Sequence, residues 1–179
     1  MTLVGIDFEM ANAIPGSICA YGLAYEDGTV HRAVTHLHPE RGGKQERKRF
    51  HGITAEQTLA GRGPHSLYSR LQALPEDTIL VAHDAKIDRA QLYGWYEMWE
   101  LEPIHFLWLD TLSIARQRYG KQGRVGVAAM AAYLDMEVKP HDPADDARVA
   151  LRIAQTYDWG NVQLFHPLTG TQKPGTLAS

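Results

Sequence analysis

Val4, Ile6 and Phe8 alternate with Gly5, Asp7 and Glu9 near the start of the chain. A period of two predicts a β-strand over Thr2–Glu9, with successive side chains on opposite faces. Ser17–Tyr25 repeats the pattern, with Ile18, Ala20, Gly22 and Ala24 expected on one face. Asp27-Gly28 is a hairpin turn signal, and Thr29–Leu37 follows as a third strand. The period then lengthens. Pro64 begins a helix carrying Leu67, Leu71 and Leu74, Thr78–Ala82 is a short apolar strand, and Asp84–Glu100 is helical with Leu92, Trp95 and Trp99 as its stripe. Phe106–Leu109 predicts another strand, and Asp110-Thr111 starts a helix running to about Tyr119. Val125–Leu134 reads as helix, and Asp142 at N-cap with Pro143 at N1 opens a last helix to about Tyr157. Strands first, then alternating helices and strands, predict one α/β domain with a mixed sheet, spanning 1–159. Gly160–Ser179, rich in Gly, Pro, Thr and Ser, is expected to be a flexible C-terminal tail.

Several acids break this pattern. Asp7 and Glu9 share one face of a strand that should be buried. Asp88 lies one turn before Leu92 on an apolar helical stripe, and Asp146 lies one turn before Val149 and Ala150. Any one of them could pair with a helix dipole or a buried arginine. Four inward-facing acids near element ends are better explained together, as Asp7, Glu9, Asp88 and Asp146 converging on divalent cations. Hard oxygen ligands suit Mg²⁺ or Mn²⁺. Two such ions about 3.5–4 Å apart are a common device for in-line displacement at phosphorus. His141, five residues before Asp146, is a candidate base for the attacking water. Taken alone it could equally be an exposed loop histidine.

Composition narrows the setting. The chain has 179 residues, 44% of them hydrophobic and 22% charged, which suits one soluble domain with a sizeable core. No apolar run is long enough for a membrane helix, and the N-terminus lacks the features of a signal peptide. The single cysteine, Cys19, excludes an internal disulfide and a cysteine zinc cluster, so a cytoplasmic location is expected. A net charge of −3 excludes a protein that grips nucleic acid by bulk charge. Local basic groups exist at Arg41, Lys44, Arg47, Lys48 and Arg49, and at Arg116, Arg118, Lys121 and Arg124. They read individually as solvated surface and collectively as phosphate contacts away from the reacting centre.

Three motifs then resemble a known family. Asp7-Phe8-Glu9, His83 to Asp88 (HDAKID) and His141 to Asp146 (HDPADD) are similar, in order, to the three motifs of the DEDDh (DnaQ-like) 3′–5′ exonucleases. That family includes the proofreading subunit of bacterial DNA polymerase III, RNase T and oligoribonuclease. SICAYGLAYEDG, Phe50 to Thr54 (FHGIT) and Trp108 to Arg116 (WLDTLSIAR) are similar to its connecting segments, so the likeness runs from residue 2 to about 157. It implies a ribonuclease H-like fold, a five-stranded mixed sheet flanked by helices on both sides. It implies Asp7, Glu9, Asp88 and Asp146 as ligands of two Mg²⁺ or Mn²⁺ ions and His141 as general base. It also implies release of 5′-mononucleotides from a 3′ end. Asp84 stands where the family usually has Asn, Ile87 where it has Phe, and Met10 where Thr is common. Met10, Ala11, His51 and Asp84 are the candidate nucleotide-binding residues, with Asp84 alternatively a helix cap. Asp145 falls one step off the motif and is read as an acid in the helix's first turn.

The expected partner is the 3′ end of single-stranded nucleic acid, DNA favoured over RNA. Proofreading, repair and RNA trimming all remain open, with a stand-alone enzyme preferred because no polymerase segment is evident. Some family members dimerise, so a homodimer is a possible state. Gln163 to Phe165 (QLF) faintly resembles clamp-binding motifs, which raises a polymerase or clamp contact. The four tryptophans, at 95, 99, 108 and 159, are expected in the core. Two other readings compete. One is a non-catalytic 3′-end-binding or polymerase-docking module, which would ordinarily have lost one of the five motif residues. The other is an HD-type phosphohydrolase prompted by His83-Asp84 and His141-Asp142, whose all-helical class the strand-rich start opposes.

Overall fold

The computed structural model describes residues 1–120 and 123–165. Five strands form one mixed sheet: β1 (Thr2–Met10), β2 (Ile18–Tyr25), β3 (Val30–Val34), β4 (Thr78–Ala82) and β5 (Leu107–Asp110), in the order β3-β2-β1-β4-β5. The first three run antiparallel, and β1-β4-β5 are parallel. Seven helices complete the chain: α1 (Lys48–His51), α2 (Ala55–Leu59), α3 (His65–Gln72), α4 (Ala85–Met98), α5 (Thr111–Tyr119), α6 (Val127–Tyr133) and α7 (Pro143–Thr156). This is the five-stranded mixed sheet with flanking helices expected of a ribonuclease H-like exonuclease fold. Among the described residues no helix is long and apolar enough to cross a membrane.

The alternation on the strands builds two cores. Val4, Ile6 and Phe8 pack with Leu67 and Leu71 of α3 and Leu92, Trp95 and Tyr96 of α4. On the other face Leu3, Ile79, Val81 and Leu109 meet Ile114 of α5, Met130 of α6 and Val149 and Ile153 of α7. Trp95 and Trp108 are fully buried, and Trp99 and Trp159 pack at the core margins, as their spacing predicts. Ile18 departs from expectation. The β1–β2 register shifts between Glu9 and Met10, which skips Cys19, and Ile18 joins Tyr21 and Leu23 on the face opposite Ala20, Gly22 and Ala24. A bulge turns over every side chain beyond it.

The approach of α7 to the sheet sets the geometry of the acids. A Cβ on Gly5 would stand 2.2 Å from the Ala147 carbonyl oxygen, and one on Gly22 would stand 2.0 Å from that of Pro143. Both positions must be bare for the helix backbone to rest on β1 and β2.

Residues 48–59 hold two short helices. Lys48–His51 makes one helical turn, and Thr54 and Gln57 form a reciprocal capping box at the start of α2. Residue 165, within the expected flexible tail, is bridged to β5. Phe165 exchanges two backbone hydrogen bonds with Trp108, of 2.8 and 3.0 Å, and the Arg89 guanidinium stands over its ring. The Gln163–Phe165 segment is therefore engaged in its own fold at its last residue. The rest of the expected tail, 166–179, and Lys121 of the second basic group lie outside the described residues.

Gly22→Ala is expected to push the N-terminus of α7 off β2. Such overpacking costs about 1–3 kcal/mol, at roughly 2–4 °C of Tm per kcal/mol for this chain length. Thermal unfolding of the variant should show that fall, and cation-induced stabilisation should weaken with it because α7 carries Asp146.

Candidate active site

β1 outruns its parallel neighbour. Its pairing with β4 ends at Gly5–Val81, whereas its pairing with β2 continues to Met10. The N–H of Phe8, which has no β4 partner, donates to Oδ1 of Asp88 at 3.2 Å. That bond ties the start of α4 to the strand carrying Asp7 and Glu9. Asp88 is 5% exposed. On the opposite face α7 delivers Asp146, and one carboxylate oxygen from each of Asp7, Glu9 and Asp146 lies within 4.8 Å of the others. Three of the four expected acids thus form one cluster, with Asp88 beside it.

Electrostatics register the crowding. Asp7 is raised well above the ordinary carboxylate range, first by burial and then by Asp88, Asp146 and Glu9. Glu9 is pushed up to about 7 by burial, Asp146 and Asp142. Burial raises Asp146 to about 6, partly offset by His141. Burial also raises Asp88, against the Phe8 N–H bond that favours its charged form. No basic side chain closes an ion pair with Asp7, Glu9, Asp88 or Asp146 among the described residues. An all-carboxylate, cation-starved set of this kind fits a hard divalent ion.

His141 sits in a turn closed by the Asp142 N–H on the Lys139 carbonyl at 3.1 Å, with Pro140 and His141 between them. Its φ is 58°, a left-handed conformation that costs a non-glycine residue roughly 1–2 kcal/mol. Asp145 restrains this turn. One of its oxygens accepts the Lys139 N–H at 2.8 Å, and the other pairs with Arg148 at 2.7 Å. Asp142 caps α7 through the Ala144 N–H at 3.1 Å and meets Arg32 of β3 at 3.3 Å. Asp145 therefore does more than the first-turn acid the sequence suggests, because it clamps the loop that carries His141.

The nucleotide-binding candidates divide. Met10 is half-buried at the bulge, and its backbone makes a hydrogen bond to His51. His51 accepts the Ile53 N–H at 3.1 Å, and burial, with a smaller contribution from nearby His141, lowers its pKa. Ala11 is fully buried, its N–H donates to the Ser17 carbonyl, and its carbonyl accepts from the N–H groups of Glu46 and Arg47. Asp84 is near enough to raise Asp88, but it is no cap: it has φ 73° and no side-chain capping bond. Asp110 starts α4 in its place. One oxygen of Asp110 accepts from Asp84, Ala85 and Leu112, and the other accepts from Ser113, so it caps α4 and α5 together.

Two structural roles escape the sequence reading. Buried Asn12 donates to the carbonyls of Gly42 and Lys44 at 2.8 and 2.9 Å, fastening the first basic group to the end of β1. His83 bridges Thr111 at 3.0 Å and the Val125 carbonyl at 2.7 Å, which marks it as structural. An Asn next to a strand end and a His between two helix starts carry no periodicity that would reveal them.

The raised acids set a pH dependence. A carboxyl with a higher pKa folded than unfolded favours the folded state while protonated. Metal-free stability should therefore be greatest below about pH 4 for these groups and fall as pH rises through about 6 for Asp146 and about 7 for Glu9. Thermal melts in chelator across this range should show the fall, and Mn²⁺ should reverse it at pH 8. Asp7→Asn should raise the chelator Tm at pH 8 by a few degrees, at about 1.4 kcal/mol per pKa unit relieved, while removing the Mn²⁺ response.

Comparison with known proteins follows this geometry. A DNA polymerase III PolC-type from Streptococcus mutans is 28% identical over 103 residues, 57% of this chain and 7% of the polymerase. The chain thus matches a small part of that relative's length. The nuclease domain of 3′hExo, described as a DEDDh family member bound to rAMP, superposes with a TM-score of 0.64 at 18% identity, covering 93% of this chain and 96% of that one. Escherichia coli exonuclease I with a 5cy-dT13 oligonucleotide gives 0.67 at 12% identity, over 86% and 40%. Exonuclease X with 5′ overhanging duplex DNA gives 0.58 at 17%, over 86% and 92%. The RNase T exonuclease family matches residues 4–154, and with the fold and the acidic cluster in place this chain belongs to that family.

Proposed function

We propose that this nuclease removes 5′-mononucleotides from the 3′ end of single-stranded nucleic acid, DNA in preference to RNA. The observation that carries the reading is the convergence of Asp7, Glu9 and Asp146 at the overhanging end of β1. Asp88 is tied to the same strand, and His141 is held on the adjoining turn. Asp7, Glu9, Asp88 and Asp146 would hold two Mg²⁺ or Mn²⁺ ions, which supply Lewis acidity at the scissile phosphate. In its neutral form, the His141 imidazole takes a proton from the attacking water. A new P–O bond forms, the bond from phosphorus to the upstream 3′ oxygen breaks, and a 5′-monophosphate leaves. Asp145 and the Asp142 cap hold the turn that carries His141 against the start of α7, which supports His141 as the base. Met10 and His51 line the end of β1 where the terminal nucleotide would rest, and Asp84 lies beside Asp88. The relatives solved with DNA and with rAMP share this fold, so the preference for DNA rests on the test below.

Digestion of 5′-labelled single-stranded DNA and RNA with Mn²⁺ tests the reading. A ladder shortening from the 3′ end, abolished by chelator and by Asp146→Ala, is the expected result. Cleavage from the 5′ end or internally would overturn it. Absence of cleavage with intact cation binding would favour a 3′-end-binding module. His141→Asn probes the base. Asparagine tolerates the left-handed backbone, so Tm and the Mn²⁺ response should persist while kcat falls about 10²–10⁴-fold. Unchanged kcat would remove His141 from the chemistry.

A further inference from the structure

A concavity lies between the β2–β3 hairpin and α3, away from the acidic cluster. It has a volume of about 640 Å³, within the usual range for ligand clefts. One wall is the β2–β3 hairpin, with His31. The other is α3, with His65, Ser66, Ser69 and Arg70, and Arg62 closes the end. The register shows the separation. Asp7, Gly22 and Arg32 stand side by side across β1, β2 and β3, and Arg32 turns towards α7 to meet Asp142. Ile6, Leu23 and His31 form the next row and point the opposite way. The cleft is therefore on the face opposite Asp7, Glu9 and Asp146, two strands over from β1.

Its chemistry is that of an anion receptor. Neither Arg62 nor Arg70 forms an ion pair among the described residues. Arg70 lies close enough to hold both His31 and Tyr25 below where burial alone would leave them. Asp27 is the single acid in the lining, and it accepts the N–H of Thr29 in its own turn at 2.8 Å. Guanidinium groups match phosphate geometry in paired hydrogen bonds, and the serine hydroxyls and imidazoles add neutral donors. The backbone around Arg62 is anchored. Its N–H donates to Val34, and its carbonyl accepts from His36, at 2.9 and 2.8 Å. The chain as a whole carries a net charge of −3, so this cationic hollow is not part of a generally basic surface.

We infer that the cleft between α3 and the β2–β3 hairpin binds a phosphate group through Arg62 and Arg70. A phosphate there is not the one being cut. It is either an internucleotide phosphate of a strand that has passed round the β3 edge, or the phosphate of a free nucleotide. The site depends on no nuclease activity, so the experiment is done in chelator.

Amide NMR of the full chain is titrated with inorganic phosphate, then with 5′-dAMP, a 4-mer and a 15-mer of single-stranded DNA. Chloride at equal ionic strength is the control. Phosphate is expected to shift the amides of His31, His65, Ser66 and Ser69, and chloride to leave them. Arg62→Gln combined with Arg70→Gln should weaken phosphate binding about tenfold or more, with the chelator Tm and the Mn²⁺-induced rise in Tm unchanged. Ser69→Asp, which places a charge in the cleft without touching either arginine, should do the same. A strand is the ligand if the 15-mer alone loses salt dependence in the double variant, by about 0.7 per phosphate contact removed in the log–log slope. A free nucleotide is the ligand if 5′-dAMP binds and the 15-mer's slope is unchanged. Cleft amides that ignore every phosphate compound, or respond equally to chloride, overturn the inference.

Discussion

The meeting of Asp146 with the acids of β1 depends on how closely the backbone of α7 can approach the sheet. Gly5 and Gly22 leave no side chain between the strands and the helix, and the carbonyls of Ala147 and Pro143 occupy the space a methyl would take. A side chain at either position would lift the first turn of α7, and Asp146 lies in that turn. The same contact explains why β1 can carry Asp7 and Glu9 on a face that is otherwise packed. The helix covers Leu3 and Gly5 and then ends, so the carboxylates emerge just beyond its N-terminus. Position, rather than any special backbone at the acids, brings them together.

Convergence has an electrostatic cost that the fold does not offset with its own cations. Burial is the largest contribution at each of the four acids, and repulsion among neighbours adds to it. The protein does provide local donors: the Phe8 N–H for Asp88, the helix start for Asp142, and Lys139 and Arg148 for Asp145. These satisfy the acids around the cluster. The three clustered acids keep their charge problem, which is the arrangement expected where a divalent ion completes the structure.

Much of this was legible in the chain, because the features that reveal it are periodic or paired. Alternation located β1, and acids placed against apolar stripes pointed to Asp7, Glu9, Asp88 and Asp146. The Asp-Pro pair marked the start of α7. What escaped was of two kinds. Short-range chemistry was overlooked at Thr54 and Gln57, where a T-x-x-Q signature encodes the capping box of α2. Long-range chemistry could not be seen at all. Asp110 reads as the cap of one helix, and only the parallel placement of β4 beside β5 lets it serve a second. The bulge opposite Cys19 is also invisible to a strict period of two, so Ile18 falls on the unexpected face. The partners of the Ala11 carbonyl, namely Glu46 and Arg47, are likewise long-range and invisible in the sequence.

The double use of Asp110 has a dynamic consequence. Backbone N–H groups at the starts of two helices converge on one carboxylate at the end of β5. Neither helix can fray at its start without releasing a charge that the other must then hold alone. Opening of the α4 terminus, which bears Asp88, is thereby coupled to opening of α5, whose residues lie in the core on the opposite face of the sheet. The two packing layers, which share no helix, should exchange their first-turn amide protons as one cooperative unit. A carboxylate outside the cluster thus makes the loosening of the site a property of both sides of the sheet.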